Sequence, residues 1–211
     1  MVKTAVLVSG GGTNLQAIID SYIFGEIPNC ELTAVISSDP AAYALTRARS
    51  ARIPAYVVDA SLFPHNAYFC DALLGKLKDL DIELVVLAGF VPKLEQPLVR
   101  YFKNRIIDVY PALLPAFRTA DGSGIRPHEL ALEYGVKISG ATAYFVTEEE
   151  ADGPVILQQA VSVWEGDSPK TLQRRVMEEA EWKILPKAVA LFCSGKLSIE
   201  GRVVRTADKE K

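Results

Sequence analysis

Short apolar runs alternate along this chain with longer stretches in which apolar residues recur every three or four positions. Residues 4–9 (TAVLVS) predict a buried strand, and after GGGTN the run LQAIIDSYIF predicts a helix. Residues 32–37 (LTAVIS) predict a second strand, Ala41–Ala51 a helix, 53–59 (IPAYVVD) a third strand and His65–Leu80 a helix. The most apolar run is ELVVLA at 83–88, ended by Gly89, and IIDVY at 106–110 is closed by Pro111 and Pro115. Strands buried on both faces and separated by helices predict a parallel sheet with right-handed crossovers.

Beyond residue 118 the pattern changes. Thr119–Gly124 reads as a turn-rich loop and His128–Tyr134 as a short helix. Two β-rich runs follow, ISGATAYFV (138–146) and PVILQQAVSV (154–163), separated by the acidic EEEADG. A long helix is expected from Ser168, stopping near Pro186 and resuming through Phe192, with a frayed tail RTADKEK. No linker or repeat interrupts the chain. The reading is one α/β domain over 1–211: an N-terminal half to about residue 105, and a second half over about 106–205 that extends the sheet.

Composition narrows the partners. Of 211 residues, 49% are apolar and 23% charged, enough for a sizeable core with a solvated shell. With 23 Lys and Arg against 26 Asp and Glu, the net charge is −3. Nothing concentrates basic residues, so no nucleic-acid surface is expected. An anionic ligand must instead be captured by local geometry. Cys30, Cys70 and Cys193 are scattered, which suits a reducing, cytoplasmic setting, and with only two histidines no metal site is expected. No apolar stretch approaches the roughly 20 residues of a membrane span, so no membrane partner is expected.

Three segments could carry chemistry. SGGGTN (9–14) lies between a predicted strand and helix, where glycines admit a phosphate closely and the helix N-terminus offers free N–H groups. Thr13 or Asn14 could cap that helix. The spacing matches neither a P-loop nor GxGxxG, and a tight turn is the alternative. LAGF (87–90) and VPKL (91–94) end the strongest strand, where ligands of open α/β sheets lie, although a plain glycine turn would look the same. Asp108 and Tyr110 fall on one side of a strand end, either as a catalytic pair or as a hydrogen-bonded pair fixing a loop; the second is the simpler reading. His128 suits capping or packing, His65 the surface, and Glu148–Asp152 a solvated turn closed by the Asp152-Gly153-Pro154 bend.

Together these segments resemble the phosphoribosylglycinamide (glycinamide ribonucleotide) formyltransferase family. The resemblance covers nearly the whole chain, from VLVSGGGTNLQAIID through VVLAGF, the P-x-LLP turn, GATAYFV and DGPVILQ to RRVMEEAEWKILP. It implies a formyltransferase fold: one open, mostly parallel twisted sheet with helices on both faces and a Rossmann-like N-terminal half. It implies transfer of a formyl group from 10-formyltetrahydrofolate to glycinamide ribonucleotide in purine biosynthesis, without a metal, by a monomer or homodimer. It places the substrate phosphate on Gly12, Thr13 and Asn14, and gives Glu181 a role in holding the ribonucleotide. The folate falls against Leu87, Ala88, Gly89, Phe90, Val91, Pro92, Lys93 and Leu94.

The family's catalytic positions are occupied differently. Its N-x-H-P motif appears as Asp108 and Tyr110, and its D-x-G-P aspartate aligns with Ala151, with Asp152 one place later. A family histidine falls at Tyr144 and an arginine at His65. Formyl transfer develops an oxyanion that wants hydrogen-bond donors nearby, whereas an ionised aspartate only accepts. A working centre would therefore need Asp108 protonated, with Tyr110 as a second donor. The alternatives are a paralogue that binds a phosphorylated ligand without transfer, and a transferase for another amine.

Overall fold

The computed structural model describes residues 1–119, 124–148 and 152–207. β1 (Val2–Val8) sends Ala5 and Leu7 to one face of a sheet and Val6 and Val8 to the other, all fully buried. Successive side chains of a strand point to opposite faces, so such a strand needs cover above and below. The chain supplies it by crossing over between parallel strands: α1 (Thr13–Ile23), β2 (Cys30–Ser37), α2 (Ala44–Ser50), β3 (Ala55–Val57), α3 (Asn66–Asp79), β4 (Leu84–Leu87), α4 (Gln96–Tyr101) and β5 (Ile106–Tyr110). α5 (Arg126–Tyr134) then leads into β6 (Ile138–Phe145) and β7 (Val155–Ser162), both antiparallel to their predecessors. Next come α6 (Pro169–Val176), a π turn at Met177–Glu181 and α7 (Trp182–Cys193). β8 (Leu197–Glu200) and β9 (Val203–Thr206) form a closing hairpin.

Among the described residues these make one nine-stranded sheet, ordered β3-β2-β1-β4-β5-β6-β7-β9-β8. The mostly parallel sheet expected from the sequence is observed, with its parallel block spanning β3 to β5. Leu15, Ile18, Val176, Leu185 and Val189 cover one face, and Phe69, Leu73, Leu77, Leu98 and Phe102 the other. α6 is started by a Ser168–Thr171 capping box, in which the Thr171 N–H donates to Ser168 Oγ and the Ser168 N–H to Thr171 Oγ1.

Three local expectations are corrected and one element was not foreseen. Only Ala55–Val57 of IPAYVVD is strand, and α4 was not legible because its six residues include Pro97 and complete fewer than two turns. The tail is not frayed throughout: Arg205 and Thr206 belong to β9, which lies between β7 and β8 and whose exposed–intermediate alternation is that of a strand covered on one face only. The helix does not stop at Pro186, which lies inside α7. A proline clashes with the carbonyl four residues back; that residue is Trp182, the first of α7, directly after the π turn at Met177–Glu181.

Gly153 joins the hairpin strands at the site end. A Cβ there would fall on the Phe145 carbonyl oxygen, part of the main chain beside the bond from the Phe145 N–H to the Pro154 carbonyl. Gly153→Ala is expected to cost about 3 kcal/mol through backbone displacement, read as a lower urea midpoint with an unchanged slope. An unaltered midpoint would refute this close approach.

Candidate functional site

A cleft of about 260 Å³ opens beyond the ends of β4 and β5. Its wall takes Asn14 from α1, most of the loop after β4, Asp108 from β5 and Tyr144 from β6. His128 of α5, Glu148 after β6 and the series Gln173, Met177, Glu181 also line it. Gln173 donates to the Gly124 carbonyl at 3.4 Å, tying α6 to the segment before α5.

The glycine turn is shaped from outside. Gly12 takes the N-cap position of α1 with φ 74° and ψ 35°, and no side chain caps the helix. The expectation that Thr13 or Asn14 would cap it is therefore corrected. Thr13 is exposed, and Asn14 is diverted to Glu181, its Nδ2 donating to Oε2 at 2.8 Å. The Gly10 carbonyl accepts from the Ala44 N–H at 3.0 Å and the Gly11 carbonyl from Arg47 Nε at 2.8 Å. With these carbonyls pinned to α2, the first-turn N–H groups of α1, which have no intrahelical partners, define a positive end. Arg47 was not anticipated; only the fold brings α2 beside the turn.

Ser9 links this turn to the strand-end loop. Its N–H donates to the Gly89 carbonyl at 3.1 Å, its Oγ accepts from the Val91 N–H at 2.9 Å, and Ser38 Oγ lies 2.6 Å away. In that loop Leu87, Gly89, Phe90, Val91, Pro92, Lys93 and Leu94 line the cleft, while Ala88 is buried behind it. Phe90 stacks on Phe69 at 6.2 Å, Val91 is 79% exposed, and the Lys93 carbonyl accepts from Asn66. The result is an apolar ledge with fixed backbone groups.

The two residues of the DVY segment part company. Asp108 faces the cleft, where Oδ2 accepts from the Tyr144 hydroxyl at 2.9 Å and Oδ1 from the Val109 N–H at 2.8 Å. Tyr110 is 1% exposed and outside the cleft wall. Its hydroxyl donates to the Phe117 carbonyl at 3.2 Å and accepts from the Thr119 N–H at 2.8 Å, so it clamps the loop after β5. Asp152 accepts from Arg118 at 3.1 Å and Arg202 at 2.9 Å, away from the cleft wall. Ala151 lies outside the described residues.

Two titratable groups of the cleft wall are strongly perturbed. Burial raises the Glu181 carboxyl to about 7, against the opposing hydrogen bond from Asn14 and with a further push from the charge of Asp108. His128, fully buried, is lowered to about 4 by desolvation, and neither ring nitrogen has a hydrogen-bond partner among the described residues. The imidazole is thus neutral at pH 7. Sequence reasoning read His128 as a capping or packing residue and gave it no site role; nothing in RPHEL announces an unpaired ring. His65 is exposed beside Tyr68. Among the described residues no group of three His, Cys, Asp or Glu could hold a metal, and no helix is long and apolar enough to cross a membrane.

Known proteins share this fold. The family profile described as Formyl transferase matches residues 2–189. The phosphoribosylglycinamide formyltransferase of Haemophilus influenzae is 36% identical, over 95% of this chain and 91% of that protein. The human trifunctional purine biosynthetic protein adenosine-3 is 39% identical over 93% of this chain, but the chain spans only 19% of that protein's length. The crystal structure of glycinamide ribonucleotide transformylase 1 from Symbiobacterium toebii superposes with a TM-score of 0.91, at 44% identity, covering 98% of this chain and 94% of that one.

Proposed function

Since the chain belongs to the formyl transferase family, we propose that it moves a formyl group from 10-formyltetrahydrofolate to the amine of glycinamide ribonucleotide, the purine-biosynthetic reaction for which its relatives are named. The observation that carries this is one cleft joining Asn14, Glu181, Asp108 and the loop after β4.

In this reading the phosphate sits on the N–H groups of Gly12, Thr13 and Asn14. Backbone dipoles hold an anion there without net positive charge, which suits a chain of net charge −3. Glu181, held by Asn14, takes the ribose hydroxyls. The ledge of Leu87 to Leu94 takes the flat, apolar part of the folate, and its N–H and C=O groups take the polar edges. Between the two ends stands Asp108. When bound, the folate supplies the formyl group; the chain supplies orientation and a cleft that limits water. Tyr110 and Asp152 have supporting roles, one clamping the 117–119 loop and the other joining Arg118 to Arg202.

The full chain, given glycinamide ribonucleotide and 10-formyltetrahydrofolate, is expected to consume the folate only when the ribonucleotide is present. Absence of turnover from pH 5 to pH 9 would refute transfer. The placement of Tyr110, which leaves no general acid at that position, favours a second reading in which the same ligands bind without reacting. Calorimetry showing ribonucleotide binding beside absent turnover would select it.

A further inference from the structure

The reacting end of the cleft is acidic, and its hydrogen bonds decide what it can receive. Both oxygens of Asp108 face donors, Tyr144 on Oδ2 and the Val109 N–H on Oδ1. Two donors on two oxygens make the surroundings of a carboxylate, since hydrogen bonds to the charged form favour it. The arrangement is built into the sheet: the antiparallel register sets Asp108 opposite Tyr144, and Tyr144 is 4% exposed, so its hydroxyl is confined there. Such a pair is ill-suited to stabilising an oxyanion and well suited to a cation.

Neighbouring acids among the described residues have partners of their own. Glu148 is bound by Arg100 at 2.7 Å, Asp152 by Arg118 and Arg202, and Glu181 by Asn14. Besides Tyr144, the titratable groups sharing the wall with Asp108 among the described residues are Glu181 from the π turn, His128 from α5, Lys93 from the loop after β4, and Glu148.

We infer that Asp108 receives the acceptor amine as an ammonium ion and takes its proton, with Tyr144 as the positioning residue that keeps the carboxylate charged and aimed. The inference rests on the formyl-transfer reading and specifies its acceptor: a primary amine that arrives protonated at neutral pH. The ammonium gives one proton to Asp108, and the freed lone pair forms the new bond to the formyl carbon. The old carbon–nitrogen bond breaks, its electron pair staying with the folate nitrogen, which takes the second amine proton. Asp108 then returns its proton to water.

Steady-state rates across pH for Asp108→Asn and Tyr144→Phe, with folding checked by thermal melting, test this. Asp108→Asn is isosteric and should lower kcat at least about 10²-fold, as loss of a general base does. Tyr144→Phe should lower kcat about tenfold, leave KM unchanged and move the acid limb of the profile to higher pH. Repeating the pair in a Glu181→Gln background removes the titration of Glu181 from that limb. A purely structural Tyr144 would lower stability and leave the limb in place, which overturns its role. An Asp108→Asn variant faster than wild type would overturn the inference outright, because a donor would then be the better group. If wild type binds glycinamide ribonucleotide without turnover, calorimetry still decides: Asp108→Asn should weaken binding about tenfold, and equal affinity overturns the inference alone. Neither binding nor turnover by wild type overturns both readings.

Discussion

Gly12→Ala is expected to weaken binding of glycinamide ribonucleotide about 10²-fold and to cost about 2–3 kcal/mol of stability. The residue sits at φ 74°, a left-handed conformation that favours glycine. An added Cβ would also stand 2.7 Å from Ala44 Cβ and 2.9 Å from Ala44 Cα. Neither atom can yield, because Ala44 is fully buried at the start of α2 and its N–H holds the Gly10 carbonyl. The turn must therefore move, carrying the first-turn N–H groups of α1 with it. Gly10→Ala and Gly11→Ala are the controls: a Cβ at either meets nothing within 4 Å, so both should be near neutral in stability. Calorimetry and thermal melting check the set. Equal effects at all three glycines would refute the geometric argument.

The second large effect is a pair of opposed pH dependences. Glu181 has its proton affinity raised on folding, from an ordinary value of 4.5 to about 7. Its full contribution is present below pH 4.5 and is lost as pH rises towards 7, where the folded protein must ionise a buried carboxyl. His128 is lowered from 6.5 to about 4. It costs nothing above pH 6.5, and stability is lost as pH falls towards 4, because the unfolded chain takes the proton first. Each swing amounts to about 3 kcal/mol. Between pH 4.5 and 6.5 they oppose one another, so these two groups together leave wild type nearly level. Glu181→Gln should gain about 3 kcal/mol relative to wild type between pH 4.5 and 7. His128→Phe should gain a similar amount as pH falls from 6.5 to 4. Urea midpoints across pH test both, and curves parallel to wild type would refute the assignments.

The parallel half of the sheet was legible because its strands are buried on both faces and read as unbroken apolar runs, as LVVL in β4 shows. The turns at residues 9–14 and 87–94 were legible for the same reason: they stand where such runs end. Partners across the fold were not. Asn14 and Glu181 lie 167 residues apart, and Asp108 and Tyr144 meet only through an antiparallel register. Alternation put Asp108 and Tyr110 on one side of β5, but could not tell that the longer side chain reaches past the cleft to Thr119. The isolation of His128 is a property of burial and of absent partners, and neither is written in the residues beside it.

The π turn at Met177–Glu181 governs phase. In a regular α-helix, residues four apart drift round the axis by about 40° at each step. Gln173, Met177 and Glu181 nevertheless all reach one cleft, and the wider turn between the last two absorbs the drift. The helix after it still presents Leu185 and Val189 to the sheet. One supernumerary residue thus lets a single helical segment serve the core and the cleft at once. Glu181 is placed in the cleft wall by counting, so its position depends on the number of residues in that turn as much as on their chemistry.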